Sequence, residues 1–215
     1  MLPSLPPQPP NKHNTTGWVL AGGKGLRMGG VDKGMQLFRG RPLVEHAIER
    51  LTPQVDTVCI NANRHTSDYE SFGLPVFADE TSTGHGPLSG FLCGLAHCNT
   101  DWLVTVPCDS PFFPLDLVAG LSHQAATNHS LLCMAASRHA KANADQPWLL
   151  QPVFCLMHRS LRDSLQTFLE NGGHKITDWA LHQTGASTCV FENTADGVDP
   201  FANANTLLEL QALQR

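Results

Sequence analysis

A run rich in glycine and cations follows a short apolar stretch near the N-terminus. Residues 20–30 read LAGGKGLRMGG, and Lys33 follows three residues later. Glycines let backbone N–H groups approach a polyphosphate closely, and Lys24, Arg27 and Lys33 are cations that suit a triphosphate with a pyrophosphate leaving group. The spacing matches neither the P-loop nor the dinucleotide motif. We predict a phosphate-binding loop, with a solvated surface loop as the alternative.

An acidic residue ends another apolar run. Residues 102–109 read WLVTVPCD, so Asp109 is expected at the carboxyl end of a buried strand. A hard carboxylate oxygen suits Mg²⁺, which is usually shared with substrate phosphates. A turn or a helix cap is the alternative role for an aspartate in this place. Cys108 precedes it, and because strand side chains alternate, we predict that this thiol packs in the core.

The remaining pattern alternates short apolar runs with helical periodicity, which predicts an α/β chain with a mostly parallel sheet covered on both faces. Ligands are then expected at the carboxyl ends of the strands. Strands are predicted at 18–21, 57–61, 75–79, 102–109, 131–136, 149–157 and 187–192. Helices are predicted at 42–51, from the 84–90 motif to about 98, and at 114–124, 160–171, 175–184 and 206–214. Residues 137–148 are predicted to be a polar connection, with a mobile loop at 140–146 near the acceptor site.

Length and composition limit the classes of protein. The 215 residues fit one domain, 17–215, after a proline-rich extension, 1–16, that we expect to be disordered. A net charge of −5 argues against nucleic-acid binding, which needs a basic face. The N-terminus has no apolar run long enough for a signal peptide or a membrane span.

Seven cysteines, an odd number without a Cys-x-x-Cys pair, predict buried free thiols rather than disulfides or a zinc site. A reducing cytoplasm is the expected location. Histidines are scattered without metal-ligand spacing. His65 and His85 lie in motif-rich loops, but we expect them to face solvent.

Several motifs together resemble the molybdenum cofactor guanylyltransferase family, within the nucleotidyltransferases that share the loop pattern LAGG-x3-RMGG-x-DK. The resemblance extends from Gly17 to the C-terminus. The motifs are residues 20–23 (LAGG), 27–29 (RMG), 32–33 (DK), 40–43 (GRPL), 61–65 (NANRH), 86–90 (GPLSG), 107–109 (PCD) and 201–206 (FANANT).

This resemblance implies a three-layer Rossmann-like nucleotidyltransferase fold, with a nucleotide half at about 17–110 and an acceptor half at about 111–215. It implies transfer of GMP from GTP to molybdopterin carrying molybdenum, with Mg²⁺ as cofactor and pyrophosphate as product. The implied nucleotide-binding positions are Leu20, Ala21, Gly22, Gly23, Lys33, Asn61, Asp79 and Asp109. The residues assigned to catalysis are Arg27, Lys33 and Asp109, with Asp109 as metal ligand, and those assigned to the acceptor are Gly90, Asn203 and Asn205.

Other functions stay open at this point. A relative with the same fold could transfer CMP to the pterin or a nucleotidyl group to a sugar phosphate, although Gly22, in place of an alanine, favours guanine. A non-catalytic cofactor carrier is the alternative from another class. Arg27, Lys33 and Asp109 argue against it, because a carrier has no leaving pyrophosphate to stabilise. Transient contacts with molybdoenzymes and cofactor-assembly proteins are a further implication.

Overall fold

The structure is a computed structural model that describes residues 7–22, 32–80, 86–143, 146–183, 185–193 and 199–203; for residues 139–143, 146, 147 and 181 it describes the backbone alone. Within these ranges the strands are β1 (Thr15–Leu20), β2 (Leu37–Phe38), β3 (Arg41–Pro42), β4 (Thr57–Asn61), β5 (Val76–Phe77), β6 (Trp102–Pro107), β7 (Leu132–Asn143), β8 (Gln146–His158) and β9 (Ser187–Phe191). The α-helices are α1 (Leu43–Leu51), α2 (Thr66–Glu70), α3 (Pro87–His97), α4 (Leu117–Thr127), α5 (Arg162–Glu170) and α6 (Ile176–Leu181).

The main sheet has the strand order β5-β4-β1-β6-β8-β7-β9. β8 is antiparallel to both of its neighbours, and the other pairings of this sheet are parallel. β1 lies between two parallel partners, where Val19 pairs with Ile60 on one side and Val106 on the other. The predicted mostly parallel sheet is confirmed. β2 and β3 form a separate short hairpin, which the sequence pattern did not predict.

Strand side chains alternate between two apolar clusters on opposite faces of the sheet. Val19 and Val104 belong to the cluster that contains the buried side of α1 and α4. Trp18 and Leu103 belong to the cluster that contains residues of α3, α5 and α6. Helices therefore cover both faces, and the predicted three layers are confirmed. None of the helices in the described part of the chain has both the length and the apolar character needed to cross a membrane.

The predicted polar connection at 137–148 is wrong for the described backbone. β7 continues to Asn143 and β8 begins at Gln146, so the two strands form a long antiparallel arm with register shifts. Pairing continues from Ala135–Gln151 to Arg138–Trp148. Backbone hydrogen bonds hold the two strands together whatever their side chains, and the polar sequence therefore does not mark the arm.

The expected disorder of residues 1–16 is wrong for residues 7–16. The side chain of Asn11 caps a single 3-10 turn, Lys12–Asn14, and β1 already begins at Thr15. The Trp102 indole N–H donates to the Gln8 carbonyl over 2.9 Å. A buried indole needs such an acceptor, which explains why the extension follows the sheet here. The helix predicted at 206–214 lies outside the described residues.

Candidate active site

The carboxyl ends of the parallel strands bring together most of the predicted nucleotide residues. Leu20 ends β1 and is followed by Ala21 and Gly22, while Asn61 ends β4. The Ala21 N–H donates to the Asn61 carbonyl over 2.8 Å, so the two segments stay paired beyond the strand. Asp79 and Asp109 follow β5 and β6 by two residues each. The edge predicted from sequence is thus assembled by the fold.

Lys33 and Asp109 form an ion pair across this edge, between Lys33 Nζ and Asp109 Oδ2. Their side chains are only 21% and 13% exposed. A mostly buried charge needs a partner or a ligand, so each of the two stabilises the other when no nucleotide is bound. The pair places a cation and a hard anionic ligand at one point. The other predicted loop residues, Gly23 and Arg27, lie outside the described residues.

Asp79 is held by two asparagine amides. Asn61 Nδ2 donates to one carboxylate oxygen over 2.9 Å, and Asn63 Nδ2 donates to the other over 2.7 Å. Asn63 Oδ1 also accepts the Asp79 backbone N–H, at 2.7 Å. This reciprocal contact fixes the carboxylate on the sheet edge. Its remaining lone pairs can still accept hydrogen bonds from a ligand.

Asn63 was missed as a site residue, although it lies in a motif that was recognised. One signal could have found it: it stands two residues after Asn61, and side chains at this spacing share a side of an extended chain. Asp32, beside Lys33, was also not predicted as a site residue. The contact that gives Asp32 its role comes from a distant helix, and no local pattern reveals it.

Two glycines let this network pack closely. A Cβ built at Gly22 would lie 2.8 Å from Asn63 Nδ2. A Cβ built at Gly90, on α3, would lie 2.5 Å from Asn61 Oδ1 and would overlap a methyl group of Leu20. Both contacts are closer than real Cβ atoms make. Gly90 therefore lies beside the predicted nucleotide residues, and its assigned acceptor role stays a prediction.

Gly90→Ala is expected to weaken GTP binding about tenfold, since the new methyl group displaces the Asn61 amide that holds Asp79. Its matched control is Gly94→Ala, one turn further along α3, where the Cβ would lie 2.7 Å from Leu103 and 3.1 Å from the Trp18 ring. Both variants are expected to lose about 1–3 kcal/mol of unfolding free energy through overpacking. Calorimetric GTP titrations and urea unfolding separate the two effects. Equal losses of affinity in both variants would contradict the local role of Gly90.

Cys108 is buried in the core, as predicted. Burial, and then the neighbouring Asp109 charge, raise the pKa of its thiol well above the ordinary range. The thiol stays protonated at neutral pH and is no nucleophile. All seven cysteines are free in the structure, and five of them are buried, while Cys98 and Cys189 are partly exposed. His65 is exposed, as expected, and His85 lies outside the described residues.

Just before the C-terminal motif, the chain makes a polar contact with the β7–β8 arm. Asp199 accepts hydrogen bonds from the Phe201 backbone N–H at 2.9 Å and from the Ser137 hydroxyl at 3.2 Å. Phe201 packs against Phe154, with ring centroids 4.7 Å apart. Asn203 follows as an exposed residue, and Asn205 lies outside the described residues. The acceptor roles of the two asparagines stay predictions.

The donor set fits a magnesium ion shared with a nucleotide. Within the described ranges, no group of three or more His, Cys, Asp and Glu side chains could hold a metal ion. Asp109 could supply a single hard oxygen ligand at the sheet edge. Mg²⁺ commonly uses one or two carboxylates and takes its other ligands from phosphate oxygens and water. An all-protein cage does not fit these residues.

The fold and the site are those of a nucleotidyltransferase: a mostly parallel sheet presents Gly22, the Asp79 carboxylate and the Lys33–Asp109 pair at its carboxyl edge. The family described as MobA-like NTP transferase domain matches residues 17–185. A molybdenum cofactor guanylyltransferase from Acidovorax ebreus (strain TPSY) is 49% identical over 203 residues, covering 94% of this chain and 96% of that protein. The chain belongs to the MobA-like NTP transferases and, among them, to the molybdenum cofactor guanylyltransferase family.

A second relative of the same name, from Methylibium petroleiphilum, is 50% identical and covers 93% of this chain and 95% of its own. Among solved structures, the molybdopterin-guanine dinucleotide biosynthesis protein A from Archaeoglobus fulgidus matches with a TM-score of 0.69 and 18% identity, covering 93% and 96% of the two chains. A glucose-1-phosphate thymidylyltransferase, described as putative, from Bacillus anthracis has a TM-score of 0.73 at 14% identity, covering 93% and 94%. At these identities the two structures support the fold alone.

Proposed function

We propose that this chain transfers GMP from GTP to molybdopterin carrying molybdenum, giving the guanine dinucleotide form of the cofactor and pyrophosphate. The observation that carries the proposal is the Lys33–Asp109 pair at the carboxyl edge of the sheet, where β1 ends at Leu20 and β6 ends at Pro107. It supplies a cation for phosphate oxygens and a ligand for magnesium where a triphosphate is expected. The choice of guanine and pterin follows the names of relatives that align over nearly the whole chain.

The reaction needs no enzyme nucleophile. A terminal phosphate oxygen of the pterin attacks the α-phosphorus of GTP in line and forms the new P–O bond. The bond from the α-phosphorus to the bridging oxygen breaks, and pyrophosphate leaves with the electron pair. Because the acceptor is already anionic, positioning and charge neutralisation matter more than proton removal.

The residues of this site divide that work. Lys33 neutralises negative charge on the leaving phosphates, and Arg27 is assigned the same task from the loop. Asp109 would hold the magnesium ion, which when bound supplies further neutralisation of the phosphate oxygens. In the absence of nucleotide, Lys33 and Asp109 satisfy each other, so ligand binding exchanges one charged contact for others.

Guanine selection is assigned to the Asp79 network. Guanine carries adjacent N1–H and N2–H donors, for which a carboxylate is a matching acceptor, whereas cytosine lacks this donor pair. Gly22 supports this choice, because a methyl group at that position would displace Asn63 from Asp79. A cytidylyltransferase acting on the same pterin stays the principal alternative, and a carrier is the alternative without catalysis.

Pyrophosphate release tests these alternatives directly. Purified protein with Mg²⁺ and molybdenum-loaded molybdopterin is assayed with GTP, CTP, ATP or UTP, and again without acceptor. Turnover with GTP alone, dependent on Mg²⁺ and acceptor, is expected. Preference for CTP would change the product but keep the mechanism, and no turnover with any nucleotide would favour the carrier.

The product must reach enzymes that use it, so we propose transient contacts with molybdoenzymes and cofactor-assembly proteins in the cytoplasm. Seven free thiols agree with a reducing compartment. Affinity capture with tagged protein and purified apo-molybdoenzyme, with and without GTP, tests the contact. Absence of association under both conditions would count against it.

A further inference from the structure

Tyr69 is the only tyrosine of the chain, and its side chain is fully buried. It lies on the short helix α2, whose other residues are exposed. A buried phenol needs a hydrogen-bond partner, and the Tyr69 hydroxyl donates to Asp32 Oδ1 over 2.5 Å. The helix thus brings one polar group into the interior, next to a residue that adjoins Lys33.

The segment that receives this hydroxyl is a tight turn. Asp32 Oδ1 also accepts the Gly34 backbone N–H at 3.1 Å, which closes a local side-chain turn around Lys33. A Cβ at Gly34 would overlap the Tyr69 hydroxyl, so the backbone leaves room for it. The Gly34 carbonyl then accepts the Val44 N–H at 2.9 Å and joins the turn to the start of α1.

These contacts bear on which carboxylate Lys33 meets. Asp32 is its chain neighbour and would be a competing partner for the ammonium group. Two donors occupy Asp32 Oδ1, whereas Lys33 Nζ contacts Asp109. Burial, and then neighbouring groups including Asp32, raise the pKa of Tyr69 far above neutrality, so its hydroxyl remains a donor.

We propose that Tyr69 is a positioning residue for nucleotidyl transfer: by engaging Asp32 it directs Lys33 toward Asp109 and the nucleotide phosphates. The inference rests on the proposed function for its catalytic consequence. It links the Asn61–His65 motif, which α2 follows, to the Asp32–Lys33 motif. Residues from two parts of the sequence then position one cation, the Lys33 ammonium group.

Tyr69→Phe removes the hydroxyl and keeps the buried ring. We expect kcat for pyrophosphate release from GTP to fall about tenfold, because Lys33 is misplaced in the transition state. KM for GTP is expected to stay within about threefold, since the loss affects stabilisation made in the transition state. Thr16→Val is the matched control. It removes another buried hydroxyl, which pairs with Thr100 at 2.8 Å near the amino end of β1, and it is expected to leave kcat unchanged.

A double-mutant cycle separates positioning from a general structural effect. In the Lys33→Ala background, Tyr69→Phe is expected to change kcat by less than about twofold, because the residue through which it acts is absent. A tenfold loss in that background would overturn the proposal, as would a Tyr69→Phe enzyme with wild-type kcat.

Chemical labelling provides a readout that needs no activity. Full-length protein is treated with an amine-acylating reagent, and peptide mass spectrometry gives the rate at Lys33 relative to exposed Lys175. The ratio is expected to rise about threefold in Tyr69→Phe, the low end of coupling in one hydrogen-bond network, and to stay constant in Thr16→Val. An unchanged ratio in Tyr69→Phe overturns the positioning role. If the wild-type protein is inactive but the labelling ratio rises as expected in Tyr69→Phe, only the proposed function is overturned.

Discussion

Asp109→Asn is expected to lower kcat for GMP transfer from GTP by about 10³-fold, the scale found when a charge-stabilising group is removed from a transition state. The substitution keeps the size of the side chain and removes its negative charge. Lys33 Nζ then meets a neutral amide in place of the carboxylate, and magnesium loses its only assigned protein ligand. Pyrophosphate release with molybdenum-loaded molybdopterin measures the effect.

Asp101→Asn is the matched control for this substitution. Asp101 lies next to the amino end of β6, the strand that Asp109 follows at the other end. Its side chain is 46% exposed and lies 4.0 Å from Arg159. Surface pairs of this kind contribute little to stability, so we expect activity close to wild type. Asp109→Asn protein that melts like wild type yet keeps more than about a tenth of its kcat would refute the assigned role.

Asp79→Asn is expected to lower kcat/KM for GTP by about 10²-fold, since one of the two asparagine donors is left without its acceptor and the carboxylate charge is removed. Each Asp79 oxygen accepts an N–H, one from Asn61 and one from Asn63. An asparagine at this position offers one oxygen and one NH₂ group. The NH₂ group would face the NH₂ group of Asn61 or Asn63, and that hydrogen bond is lost. The carboxylate assigned to the guanine edge is lost as well. Kinetics with GTP and CTP measure both activity and selectivity.

The control is Asp56→Asn, at the amino end of β4, on the opposite edge of the sheet from Asn61. Asp56 is exposed, and its carboxylate accepts a hydrogen bond from the neighbouring Thr57 hydroxyl at 3.2 Å. We expect this variant to keep its kinetics. If Asp79→Asn retains both GTP turnover and discrimination against CTP, the guanine edge must be recognised elsewhere.

The strands of the nucleotide half could be predicted because each is a short buried run with a sharp end. β4 has the predicted bounds, Thr57–Asn61, and β6 begins at Trp102 as predicted but ends at Pro107, two residues before Asp109. Parallel strands with buried faces are continuous apolar runs, which stand out from polar surroundings. Once the strands are parallel, their carboxyl ends share an edge. Strand reasoning therefore placed Asp109 at this edge, and the family resemblance added Asn61 and Asp79.

The β7–β8 arm and the ordered part of the N-terminal extension could not be predicted in this way. The strands of the arm pair through backbone hydrogen bonds, which carry no residue-specific signal, and its side-chain contacts, such as Ser137 to Asp199, join distant positions. The extension is held by the pairing of Thr15 and Thr16 within β1 and by the hydrogen bond from the Trp102 indole to Gln8. In each case the stabilising partner is supplied by a distant or backbone group. A polar local sequence therefore suggests an exposed and disordered segment, although the chain is ordered there.

The sequence by itself determined the α/β class, the family and the chemical types at the strand ends, because these depend on local periodicity and motif spacing. Only the tertiary structure decided which of these side chains contact one another. It pairs Lys33 with Asp109, and it places the Tyr69 hydroxyl on Asp32. It also brings Gly90 against Asn61. These contacts join residues that are 29 or more positions apart, since hydrogen bonds and steric contacts act through space and leave no period in the chain.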